Sequence, residues 1–112
     1  MKNTIATAAA VTLVLAAAAT VQDAKAQDAD IAKGQAYAEE VCAQCHAVRA
    51  GELASPLMEA TPFQEVADTP GMTEMALTVF LQTPHVTMPN LVLEQDDMRN
   101  VVAYIRSLKG KG

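Results

Sequence analysis

Two thiols and an imidazole fall within five residues in Cys42-Ala43-Gln44-Cys45-His46. On a helical backbone, positions 42, 45 and 46 share one face, because side chains three and four residues apart are neighbours. Two thiols placed in this way can add to the two vinyl groups along one edge of a haem, while the imidazole reaches the iron. Cys-x-x-Cys-His is the attachment signature of c-type haem. We therefore expect one haem c, held by thioethers to Cys42 and Cys45, with His46 as an iron ligand.

Three other chemistries compete for the same residues. A structural zinc site needs four good ligands, and the chain offers two cysteines with His46 and His85. His46 directly follows Cys45, which makes a closed tetrahedron of those four awkward. A thioredoxin-type Cys-x-x-Cys needs a strand-helix-strand setting, and the sequence has no strand pattern. A plain disulfide would leave His46 without a role and would close a ring too small to stabilise much.

The elements that position the pentapeptide read as helices. Asp28 or Asp30 can cap a first helix running into it, with Ile31, Gly34, Ala38, Val41 and Cys45 as one stripe. Gly34 weakens that helix, so its expected value is steric, where another helix crosses closely. Residues 47–60 lack periodicity and form a loop. Thr61-Pro62-Phe63-Gln64 opens a short helix, with Thr61 as cap and Gln64 completing a capping box. Thr69-Pro70-Gly71 ends it. A third helix follows Thr73, with Ala76, Leu77, Phe80 and Leu81 on its apolar face, and Pro84 stops it. The last helix is expected over 95–109. Met98, Val101, Val102, Ile105 and Leu108 form its stripe, and Gly110 ends it. Asp96 and Asp97 open it and Arg106 and Lys109 close it, as the helix dipole favours. The expected fold is all-α, with about four helices wrapped around one covalently bound haem.

The 112 residues allow one domain. Lys2, the uncharged run from Ile5 to Val21 and Ala24-Lys25-Ala26 match a secretory signal peptide, with cleavage expected after Ala26. A membrane anchor is the competing reading, and the run is just long enough to span. Its alanine and threonine content favours cleavage. The domain proper is then 27–112. Loss of Lys2, Lys25 and Asp23 takes the formal net charge from −5 to −6, which excludes the basic footprint of a nucleic-acid-binding protein. With two Phe, two Tyr and no Trp, the core is thin, and domains this small often need a staple. A covalently held haem would be one.

A second iron ligand has several candidates: His85 and the methionines at 58, 72, 75, 88 and 98. Met98 belongs to the apolar stripe of the last helix and Met75 can point outward, whereas Met58 and Met72 lie in loops. Met88 sits in a proline-bounded loop, where a side chain can be held rigidly against a haem face, and it is the preferred ligand. His85, three residues away, would be the stronger ligand in the abstract.

The chain resembles the class I c-type cytochromes, the small soluble bacterial kind, over nearly all of residues 29–109. The resemblance is carried by Cys42-Ala43-Gln44-Cys45-His46, by Met88-Pro89 and by Val102-Ala103-Tyr104-Ile105-Arg106-Ser107-Leu108. It implies that Gly34 lies where the first and last helices cross, against Val101 and Tyr104. It also implies that Pro56 marks the X-Pro step whose carbonyl accepts a hydrogen bond from the second nitrogen of His46, with Pro62 as a rival for that role. The family's mitochondrial branch uses a tryptophan near the haem carboxylates and a ring of lysines for docking, and this chain has neither. Gln64, Arg49 or backbone amides are left to hold the carboxylates.

With His46 and Met88 as iron ligands, the expected function is one-electron transfer in the periplasm by a monomer without stable membrane insertion. Its donor and acceptor would be redox proteins. Two alternatives stand beside it. One is a haem subunit of a periplasmic dehydrogenase or oxidase complex. The other is a five-coordinate protein binding gas or peroxide, should Met88 not ligate.

Overall fold

The computed structural model describes residues 29–85 and 87–112, so the leader expected over residues 1–26 lies outside it. All regular secondary structure among the described residues is helical: α1 (Ile31–Val41), α2 (Phe63–Asp68), α3 (Glu74–Gln82) and α4 (Gln95–Ser107), with a 3-10 turn at Cys42–Gln44. No helix among them is long and apolar enough to cross a membrane.

α1 and α4 form the frame. The Asp30 carboxylate accepts from the Lys33 amide at 3.0 Å, satisfying one of the donors a helix start leaves open. The Asp30 amide donates to Asn100 Oδ1 at 2.7 Å, which pins the start of α1 to α4. One turn further on, a Cβ at Gly34 would lie 2.0 Å from the Asn100 carbonyl oxygen and 2.9 Å from Tyr104 Cβ. No side chain fits there, so the glycine is a steric requirement of the crossing. The expected stripe of α1 starts a turn late: Gly34 and Ala38 are buried, but Ile31 is 48% exposed. The crossing is centred on Gly34, and the first turn meets polar Asn100 instead of an apolar partner.

α4 supplies the largest share of the core. Val101, Val102, Tyr104, Ile105 and Leu108 cluster with Ala38, Val48, Phe63 and Leu77. The Tyr104 hydroxyl donates to the Val48 carbonyl at 2.7 Å, linking α4 to the chain just after the pentapeptide. Gly110 takes φ +72° past the helix end, where glycine is favoured. Its amide donates to Asp68 Oδ1 at 2.8 Å, which fastens the tail to α2.

α3 begins as expected, with Thr73 Oγ1 accepting from the Ala76 amide at 3.1 Å. α2 does not. It starts at Phe63 after Pro62 without a side-chain cap, so the expected Thr61–Gln64 capping box is absent. Gln64 is buried instead, and a buried amide must find partners. Its Nε2 donates to the Leu108 carbonyl at 2.9 Å and to Asp68 Oδ2 at 2.8 Å, and its Oε1 accepts from the Gly51 amide at 3.1 Å. These tertiary bonds prevail over a local one at an exposed turn.

Candidate haem site

α1 stops at Val41, and the pentapeptide opens in the 3-10 turn instead of continuing the α-helix. In that tighter turn residues i and i+3 eclipse, which stacks Cys42 and Cys45 on one side. The amides of Cys45 and His46 both donate to the Cys42 carbonyl, at 3.1 and 2.9 Å. Both cysteine side chains are half-buried, and no disulfide joins them. Burial pushes the Cys42 thiol up to about 11, so it is neutral at physiological pH. Among the described residues no three of His, Cys, Asp and Glu gather as a metal cluster.

Cys42, Cys45 and His46 line a cavity of about 330 Å³. Its other walls are mainly apolar: Phe63 and Val66 of α2, Leu77, Phe80 and Leu81 of α3, and Ile105 of α4. Met72, His85 and Met88 come from the connecting loops. Phe80 is 58% exposed, at variance with its place on the expected apolar face of α3, because it stands on the wall of this cavity and not in the core. Two thiols on one edge, an imidazole beside them and an apolar lining that excludes water are what a haem c requires, and these residues fit it.

His46 is held from behind. Its Nδ1 lies 2.7 Å from the Thr61 carbonyl oxygen. A carbonyl only accepts, so Nδ1 carries the proton and Nε2 keeps its lone pair for a metal. The Phe63 ring packs at 5.5 Å from the imidazole, tilted by 48°, and limits its rotation.

The acceptor corrects one expectation. Pro56 was expected to mark the step that holds His46, but the carbonyl in use is that of Thr61, before Pro62. Pro56 lines a second cleft, which His46 also borders, together with Glu39, Arg49 and Glu52, and Ser55 is engaged locally, its Oγ accepting from the Ala47 amide at 2.9 Å. The physical reason lies in the loop. The Leu57 amide donates to the Cys45 carbonyl at 3.1 Å, and the Phe63 amide to the Ala47 carbonyl at 2.8 Å. These bonds clamp the loop at both ends and bring residue 61 alongside the ring. A backbone acceptor leaves no side-chain signal in a sequence, and the following proline was its only trace.

The candidates for the second ligand divide into two groups. Met58 is 92% exposed and Met75 76%. Met98 is buried on α4 and does not line the cavity. Met72, Met88 and His85 do. Of the two methionines, Met72 packs against the core cluster, and Met88 is half-buried in the loop after α3. Neither side chain offered for the haem carboxylates lines the cavity: Gln64 is consumed by its own hydrogen bonds, and Arg49 Nε pairs with Glu39 Oε1 at 3.1 Å.

A family model described as Cytochrome c matches residues 31–109 of the chain, from the first residue of α1 to just beyond α4. Comparison with curated proteins and with solved structures gave no match.

Proposed function

The chain belongs to the cytochrome c family, and on that premise we propose that it is a one-electron carrier of the periplasm, its iron ligated by His46 and Met88. Membership brings the all-α fold, one covalently bound haem c and electron transfer between redox partners. When bound, that haem supplies the Fe(III)/Fe(II) couple. The ligand pair, the class I assignment, the monomeric state and the place of work are our reading.

One observation carries it: Cys42, Cys45, His46 and Met88 line a single, mostly apolar cavity. The Thr61 carbonyl orients His46 and raises its basicity. Met88 contributes a soft thioether, and His/Met ligation raises the potential of cytochromes c. Were His46 and Met88 both to hold the iron of that haem, no position would be left open to a substrate, which favours electron carriage over catalysis. The apolar walls keep water from the iron and disfavour extra charge there. Periplasmic work rests on the leader pattern of residues 1–26, cleaved after Ala26. Docking is expected to be brief and small in area, as in other redox encounters.

The absorption spectrum of the oxidised holoprotein tests the ligand pair. We expect a sulfur-to-iron charge-transfer band that is lost in Met88→Ala and kept in Met72→Ala and Met98→Ala. A high-spin native spectrum overturns the reading.

A further inference from the structure

We propose that residues 52–59 form the docking surface for a redox protein whose matching face is apolar and rimmed by lysine or arginine; this rests on the electron-carrier reading above, but not on which residue is the second ligand. The segment shows three large apolar side chains to water: Leu53 is 62% exposed, Leu57 40% and Met58 92%. The loop is clamped so that they cannot fold away. Ser55 Oγ accepts from the Ala47 amide at 2.9 Å, the Leu57 amide donates to the Cys45 carbonyl at 3.1 Å, and the Ala60 amide donates to the Leu57 carbonyl at 2.9 Å. Clustered apolar side chains held out in water mark a contact surface. Holding them in place beforehand lowers the ordering cost of binding.

Charge selects the occupant. Glu52 and Glu59 frame the apolar residues, both exposed, and neither forms an ion pair among the described residues. On the Leu53 side opens a cleft of about 400 Å³, lined by Glu39, Arg49, Glu52, Leu53 and Pro56 among others. Its one guanidinium is taken by Glu39, with Nε at 3.1 Å from Oε1. Glu52 Oε2 accepts from the Arg49 amide at 3.4 Å, which leaves Oε1 open to a lysine or arginine of the partner. On the other side Leu57 and Glu59 line the cavity that also holds Cys42, Cys45 and His46. A protein seated on the loop therefore lies beside the attachment residues. A second copy of this chain would bring the same carboxylates against each other, and the net charge of −5 opposes such a pairing. A basic rim meets them instead, steering the encounter and fixing its register.

The test follows electron exchange between the holoprotein and two small copper proteins, one with a basic face and one with an acidic face, by stopped-flow absorption. The rate with the basic protein is expected to fall as salt rises, and the rate with the acidic one to rise. Glu52→Gln/Glu59→Gln is expected to slow the basic pair about fivefold and to flatten its salt dependence. Leu53→Ser/Met58→Ser should slow it about threefold at every salt concentration. Asp96→Asn/Asp97→Asn makes an equal change of charge at the start of α4, which is pinned to the start of α1. The length of α1, about 16 Å, separates that end from the pentapeptide. At about 0.1 M salt, where charges beyond about 10 Å are largely screened, this variant should change the rate by less than about twofold. The inference is overturned if it slows the exchange as much as Glu52→Gln/Glu59→Gln does. It is equally overturned if the native protein sediments as a dimer that Leu53→Ser/Met58→Ser dissociates, since a second copy would then hold the surface. A native holoprotein that exchanges electrons with neither copper protein overturns the electron-carrier reading itself, and the docking surface with it.

Discussion

The two sides of the cavity are built differently. On the attachment side, the Cys42 carbonyl takes two amides, the Cys45 carbonyl takes the Leu57 amide, the Ala47 carbonyl takes the Phe63 amide, and His46 itself is bonded to Thr61. Several of these bonds join residues more than ten apart in sequence, so the imidazole is fixed by the fold. On the opposite side, Met88 and His85 stand in the loop after α3, where the backbone hydrogen bonds among the described residues are Thr83 N–H to the Phe80 carbonyl and Leu91 N–H to the Pro89 carbonyl. The contrast separates two tasks. The side chain we propose as the first ligand is anchored by the architecture, and the one we propose as the second stands in a loop between α3 and α4.

If that division holds, damage to the frame should unfold the protein, whereas Met88→Ala should change the spectrum and barely move the unfolding midpoint. The largest effect is expected from Gly34→Ala. The added Cβ would meet the Asn100 carbonyl at 2.0 Å, forcing α1 and α4 apart. Overpacking of this kind costs about 3 kcal/mol or more, measurable by denaturant unfolding of the holoprotein. A cost below about 0.5 kcal/mol would mean that the crossing is looser than described.

Gln64→Ala should come next. It removes the bonds to Gly51, Asp68 and Leu108 and leaves a hole beneath the loop that carries His46. A loss of about 2 kcal/mol is expected from the unmet partners, again by denaturant unfolding. The spectrum of the folded fraction should stay low-spin, because Gln64 does not line the cavity.

The smallest effect concerns acid. The Gln64 amide, and after it the Gly110 N–H, hold the Asp68 carboxyl below the usual carboxylate range. A lowered folded-state value means that the stabilisation is present above the unfolded-state value and disappears as pH falls through the folded one. Unfolding midpoints across the acid range should therefore fall less steeply for Asp68→Asn than for the native chain. Identical profiles would show that the tail clasp carries no weight.

The helices were legible in the sequence because their signals are local. Thr73 caps α3 and Asp30 caps α1 as their positions imply, and the stripe from Met98 to Leu108 is the buried face of α4. The attachment residues were legible because their chemistry is written in side chains. What was lost is tertiary. Gln64 looked like a capping partner, since the pattern cannot show that Gly51 and Leu108 will converge on it. The acceptor for His46 was assigned one X-Pro step too early, because a carbonyl has no letter of its own. Ile31 looked apolar enough for the core, but the close approach at Gly34 sets where the helices meet.

Carbon monoxide added to the reduced holoprotein tests the central claim most directly. With His46 and Met88 both on the iron there is no vacant position, and we expect the reduced spectrum to remain unchanged under the gas. Prompt formation of a carbonyl complex by the native protein would contradict the account, placing the chain among haem proteins with an open site.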